Sequence, residues 1–361
     1  MSPARFAAAA LVALVATALL SAVAGGLLRA GVPLPAGGDW LPRAAVWHAA
    51  LMICGFMGTV IAIERAVALK ARWAWSAPAL SAAATATLLA GQRAASVTLL
   101  VATGLCFVAV NLALLRRQDA LHTRVLVGSA GCWLAAHLLF GLGFDAAAVH
   151  GWFAFVIWTI AAERLEMTRL MRRRRAAAPA LVALLAVMAG AVVAAPAWPV
   201  AAGVAYGAAL TGLAAWLLAY DIARVTIGSH GLARYMALCL IAGYLWLAFA
   251  GLAWAGAALG LPLRDAALHA VGIGFVFSMM MAHAPVILPA VAGIKLQFGP
   301  AFYLPVTLLH LSLLVRLGPG LAGGPWRAAG AALNALAIAA FAATAVAAAI
   351  AWRRRHGVLP A

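Results

Sequence analysis

Nine histidines lie in a chain that is otherwise poor in polar groups, and their spacing is where chemistry could reside. His48 stands near the head of an apolar segment at 44–67, His150 near the head of 147–163, and His269 near the head of 266–289. Each of these segments comes four apolar segments after the last. His137, in a segment running the opposite way (125–143), falls in the same half. His122, His230 and His356 belong to polar connections or the tail, and His310 lies inside 301–317. With a helical rise of ~1.5 Å per residue, His48 and His269 sit roughly 5–6 Å inside their segments, at matching depth. Polar groups held within a membrane are costly and usually face the interior of a bundle. Neutral imidazole is a common metal ligand, and two imidazoles from different helices at one depth can hold one heme iron. The bland alternative is an interfacial histidine near Trp47 or Trp152, bonded to a carbonyl or water. Three histidines at four-segment spacing favour ligation. The expectation is that His48 and His269 hold a b-type heme, with His150 and His137 lining the adjacent cavity.

The elements that must position these rings follow from composition. Of 361 residues, 67% are apolar and 9% charged, against roughly 45–50% and about 25% in a soluble domain. A water-soluble globule, a disordered chain and a fibrous repeat are excluded. Twelve apolar runs are expected to cross a bilayer, at about 6–28, 44–67, 74–90, 94–115, 125–143, 147–163, 178–195, 198–220, 232–260, 266–289, 301–317 and 328–352. Inside hydrocarbon every backbone N–H and C=O needs an internal partner, and no barrel-like alternation is present, so the runs must be helices. The fold class is therefore an all-α polytopic membrane protein, one transmembrane domain over 1–361.

Charge sets the orientation. The net charge is +17, from 25 Lys+Arg and 8 Asp+Glu. With the N-terminus inside, 19 of the 25 basic residues fall on inner connections and 6 on outer ones. That asymmetry places both termini in the cytoplasm and explains the charge without nucleic acid, which is not an expected partner. The basic stretch Arg164–Arg175 is a topology anchor on this reading, or a lipid-headgroup or partner site. A competing reading of the start is a cleavable signal peptide, from Arg5, the run Phe6–Leu20 and Ala22-Val23-Ala24; cleavage would leave eleven crossings. The four cysteines form no C-x-x-C pair and all lie in apolar runs, so no disulfide framework or zinc ribbon is indicated.

There are signs of internal repetition. The second segment ends Ile61-Ala62-Ile63-Glu64-Arg65 and the sixth ends Ile160-Ala161-Ala162-Glu163-Arg164. A four-helix unit used three times would make helices two, six and ten equivalent. The tenth carries His283-Ala284-Pro285 instead of Glu-Arg. His283 shares a face with His269, and its expected role is to bond carbonyls freed near Pro285 and Pro289, ahead of a second heme.

The stretch Trp47-His48-Ala49-Ala50-Leu51-Met52-Ile53-Cys54-Gly55-Phe56, ending Val60-Ile61-Ala62, resembles the second-helix signature of the NnrS family. Leu268-His269-Ala270-Val271-Gly272 and the run Met279-Met280-Met281-Ala282 resemble a later helix of that family. The resemblance covers about 45 residues. It implies a twelve-helix protein of the bacterial inner membrane, associated with heme, copper and nitric oxide stress. It is similar in turn to subunit I of heme-copper oxidases, where helices two, six and ten line the cofactor sites. His48 and His269 match the heme-ligand candidates, and His150, with His137, would sit near a copper position. Here helix seven lacks a histidine pair and helix ten lacks His-x-His. The resemblance therefore implies a single heme for sensing, binding or electron transfer, with a redox partner or a small gaseous ligand, and no oxygen- or nitric-oxide-reducing centre.

All eight acids map to connections or to the last turn of a helix, and none falls at mid-membrane. A cation-coupled transporter normally needs one there. Twelve crossings nonetheless fit a secondary transporter, whose signs would be a six-plus-six division and broken helices around a polar centre. An accessory subunit without a cofactor is the third expectation.

Overall fold

The computed structural model describes residues 3–35, 37–168 and 175–357. Positions 169–174 of the basic stretch lie outside the described residues. Helix accounts for 85% of the structure and no strand occurs among the described residues, as backbone accounting in hydrocarbon requires. The long helices are α1 (Pro3–Arg29), α2 (His48–Leu69), α3 (Ser76–Leu89), α4 (Arg93–Arg117), α5 (Leu121–Gly141), α6 (Asp145–Met167), α7 (Ala177–Ala194), α8 (Pro199–Tyr220), α9 (Gly231–Ala258), α10 (Arg264–Ala292), α11 (Pro300–Ala322) and α12 (Pro325–Arg355).

Eleven of these are long and apolar enough to cross a membrane. The exception is α3, expected over 74–90. Its 14 residues rise only ~21 Å against a hydrocarbon core of ~30 Å. A tighter 3₁₀ turn, Arg72–Trp75, runs straight into it and lengthens the rod by about 8 Å.

Close contacts divide the chain into two compact units, residues 1–166 with 188–202 and residues 167–187 with 203–361. The core of the first is aromatic. Trp133 on α5 stacks flat on Phe155 of α6 with centroids 4.4 Å apart, and Phe107 of α4 meets both rings edge-on. Helix α2 stops at Lys70, in the left-handed region, and Arg117 Nη1 donates to the Leu69 carbonyl at 2.6 Å. A cation thus serves one of the carbonyls that a helix end leaves bare. At the same end Arg65 Nη2 donates to Glu64 at 2.9 Å and to Glu163 of α6 at 2.8 Å. The two similar helix ends noticed in the sequence are therefore tied together through Arg65, and Glu163 is an ion-paired residue.

In the second unit, small residues bring helices close, as in membrane bundles generally. A Cβ on Gly207 would stand 2.5 Å from the Gly251 carbonyl oxygen, so α8 and α9 meet backbone to backbone. Pro285 lacks an N–H and leaves the Met281 carbonyl without its helical partner. The Tyr235 hydroxyl of α9 donates to that carbonyl at 3.2 Å. This corrects the expectation for His283, whose Nδ1–H donates instead to the Met279 carbonyl at 2.7 Å.

Candidate functional site

In the first unit, His48 opens α2 beside α1. A short helix, Trp40–Val46, approaches α1 where Gly25 leaves room for the backbone of Ala44. The chain turns at Trp47, and the His48 ring settles over Gly26. Its Nδ1–H donates to the Ala22 carbonyl at 2.7 Å. A carbonyl only accepts, so the proton is on Nδ1 and the lone pair on Nε2. This is the arrangement in which metal-binding histidines are held.

Immediately beyond, Leu51–Gly58 winds as a π-helix. Such widened turns often mark functional sites. The cause is local packing on glycines. A Cβ on Gly55 would stand 2.5 Å from Thr85 Oγ1, and one on Gly58 would meet the Trp133 ring. The widened turn sets the Cys54 carbonyl off its regular partner. Ser81 Oγ of α3 donates to it at 2.9 Å, and Thr59 Oγ1 donates to Ser81 Oγ at 3.0 Å.

In the second unit, His269 lies near the start of α10, and Ala270–Phe277 is again a π-helix. The two π segments agree in detail: each has eight residues, each has Gly-Phe at its fifth and sixth positions (Gly55-Phe56 and Gly274-Phe275), and each is followed by a hydroxyl residue (Thr59 and Ser278). Ser278 Oγ donates to the Gly274 carbonyl at 2.6 Å, and the ring of Trp246 covers Gly274. The His269 Nδ1–H donates to the Asp265 carbonyl at 2.9 Å, with the Asp265 carboxylate 3.2 Å away. Its Nε2 accepts from Arg316 Nη2 of α11 at 3.1 Å. Arg316 also grips Asp265 with two bonds of 3.0 Å, and Arg327 of α12 approaches the same carboxylate at 3.6 Å. This ion cluster joins α10, α11 and α12, and Arg316 is only 7% exposed.

The remaining two candidates differ. His150 donates Nδ1–H to the Ala146 carbonyl at 2.9 Å, but α6 is regular throughout, with no π turn. His137 is fully buried, and Trp152 Nε1–H donates to its Nδ1 at 3.2 Å. An indole nitrogen only donates, so His137 carries its proton on Nε2 and has no free lone pair for a metal. That hydrogen bond argues against His137 as a copper ligand. Among the described residues, no three of His, Cys, Asp and Glu are grouped as a metal site requires.

Sequence reasoning picked out His48 and His269, took Trp152 only as an interfacial neighbour, and missed the roles of Asp265, Arg316, Ser81 and Trp246. One signal was available: Asp265 stands four residues before His269, one helical turn away. No curated protein and no solved structure matches the chain. The family described as a domain of unknown function (DUF8744) matches over residues 8–350, nearly the full length, and the chain belongs to that family.

Proposed function

We propose that this is a heme-binding, multi-pass protein of the bacterial inner membrane, NnrS-like, with His48 and His269 as the iron-ligating imidazoles. The observation that carries this reading is the shared setting of the two rings. Each opens an apolar helix, each is fixed by a backbone carbonyl with its lone pair on Nε2, and each stands at the head of a π-helical segment. Heme would supply a redox-active iron able to pass an electron or take a small gas, in keeping with a role in electron transfer or nitric oxide stress. The chain's own residues hold the rings in one orientation. Arg316 must release His269 Nε2 for that nitrogen to act as a ligand, and Asp265 is already in place to keep the arginine paired.

The test is an optical spectrum of purified protein after heme supplementation, with His48→Ala and His269→Ala beside it. A Soret band that weakens in each variant is expected. No Soret band, or the same heme content in both variants, would refute the assignment.

A second reading is a secondary transporter. It is favoured by the division of contacts into two units, residues 1–166 with 188–202 and residues 167–187 with 203–361, and by interruptions in α2 and α10, the latter including Pro285 and Pro289. Solute uptake into vesicles by a heme-free preparation would establish it.

A further inference from the structure

We propose that His137 is the hydrogen-bond donor of a closed site for one small uncharged acceptor of the size of water, enclosed in the aromatic core of the first unit. The argument begins with Trp152. Its indole N–H reaches His137 Nδ1 at 3.2 Å and fixes the imidazole proton on Nε2. That Nε2–H is buried and meets no protein acceptor. The whole residue is shut away from solvent. The Trp133 ring lies 5.1 Å from the imidazole, one helical turn earlier, and its own indole N–H faces the Cys54 sulfur. Buried N–H groups in native proteins are almost always paired, with protein or with ordered water. One unpaired imidazole donor, walled by Trp133, Trp152 and Phe140, suits a neutral molecule that accepts. An anion would enter with no counter-charge.

The second unit repeats the chemistry independently. Trp246 Nε1–H donates to His310 Nδ1 at 3.0 Å, and His310 Nε2 is likewise buried without a partner. In both units the tryptophan nearest the histidine also covers a π-helix glycine: Trp133 on Gly58 and Trp246 on Gly274. The proposal does not depend on heme.

The probe is water itself, in the full-length protein reconstituted in nanodiscs with ¹⁵N-labelled histidine. The expected result is a His137 ring protonated at Nε2 and magnetisation transfer to that proton from a long-lived water. Replacing both partners by apolar rings (H137F/W152F) should lower the unfolding midpoint by on the order of 2–4 °C. An Nε2–H with no water contact, together with a midpoint that is unchanged or raised, would overturn the proposal. The water contact decides if the two readings differ. Should the double variant fail to fold, Trp152→Phe keeps the imidazole. It is expected to lose the fixed tautomer, and retention of the tautomer would count against Trp152 as its cause.

Discussion

Gly26→Ala tests whether His48 is a ligand without touching the imidazole. A Cβ at position 26 would stand 2.7 Å from His48 Cε1, 3.0 Å from Nδ1 and 3.4 Å from Nε2. Ordinary carbon contacts begin near ~3.5 Å, so the ring must retreat by about 0.8 Å or α1 must shift. Retreat breaks the 2.7 Å bond to the Ala22 carbonyl, at a net cost of about 1 kcal/mol. Overpacking adds about 1–3 kcal/mol, offset by the roughly 0.5–1 kcal/mol that alanine gains over glycine inside a helix. Loss of the bond that orients a ligating histidine typically weakens metal affinity about 10–100-fold. The assay is heme titration of apoprotein followed at the Soret band, with unfolding measured in parallel. Gly131→Ala is the control, because nothing stands within 4 Å of a Cβ there; it should bind heme as the parent does. If Gly26→Ala binds heme with parental affinity and spectrum while its stability falls, His48 does not hold the iron.

Four further outcomes follow from named contacts. Ser81→Ala strips the Cys54 carbonyl of its 2.9 Å donor in the π segment and should cost about 1–3 kcal/mol in detergent unfolding; an unchanged midpoint would mean that the carbonyl finds another partner. Asp265→Asn leaves Arg316 without its counter-charge. Breaking a fully buried pair costs roughly 3–5 kcal/mol, and since Asp265 is 26% exposed a loss of about 2 kcal/mol is expected. Arg316→Gln frees His269 Nε2, so stability should fall while heme affinity rises; a fall in both would speak against His269 as a ligand. Tyr235→Phe unpairs the Met281 carbonyl freed by Pro285 and should cost about 1 kcal/mol, read from the unfolding midpoint.

Helix type and approximate bounds were legible because composition in hydrocarbon leaves one backbone solution. Sixteen residues separate His48 from Glu64, and that spacing reads as a continuous helix. What actually lies between them is an eight-residue π segment, and no apolar periodicity marks it. Its determinants are distant in sequence: Thr85 and Trp133 press on Gly55 and Gly58, and Ser81 serves the displaced carbonyl. The same holds for Asp265, whose partner Arg316 lies 51 residues on. By the expected spans Asp265 lies in a connection and Arg316 in the last turn of 301–317. Helix packing turns them into a cluster that occupies both nitrogens of His269.

The two π segments also change what the sequence pattern means. Spacing by four segments grouped helices two, six and ten, yet α6 is regular at His150 and only α2 and α10 share the widened turn. The Gly-Phe pair followed by Thr59 or Ser278 is the better signature, because each part has a task in the backbone. Glycine admits a tryptophan or threonine against the widened wall, and the hydroxyl serves a carbonyl of the widened turn, Ser278 directly and Thr59 through Ser81. A histidine stands ahead of that signature in each unit with Nδ1–H on a backbone carbonyl, that of Ala22 on α1 for His48 and that of Asp265 on its own helix for His269. That argues for a shared role for His48 and His269, and it sets His150 apart.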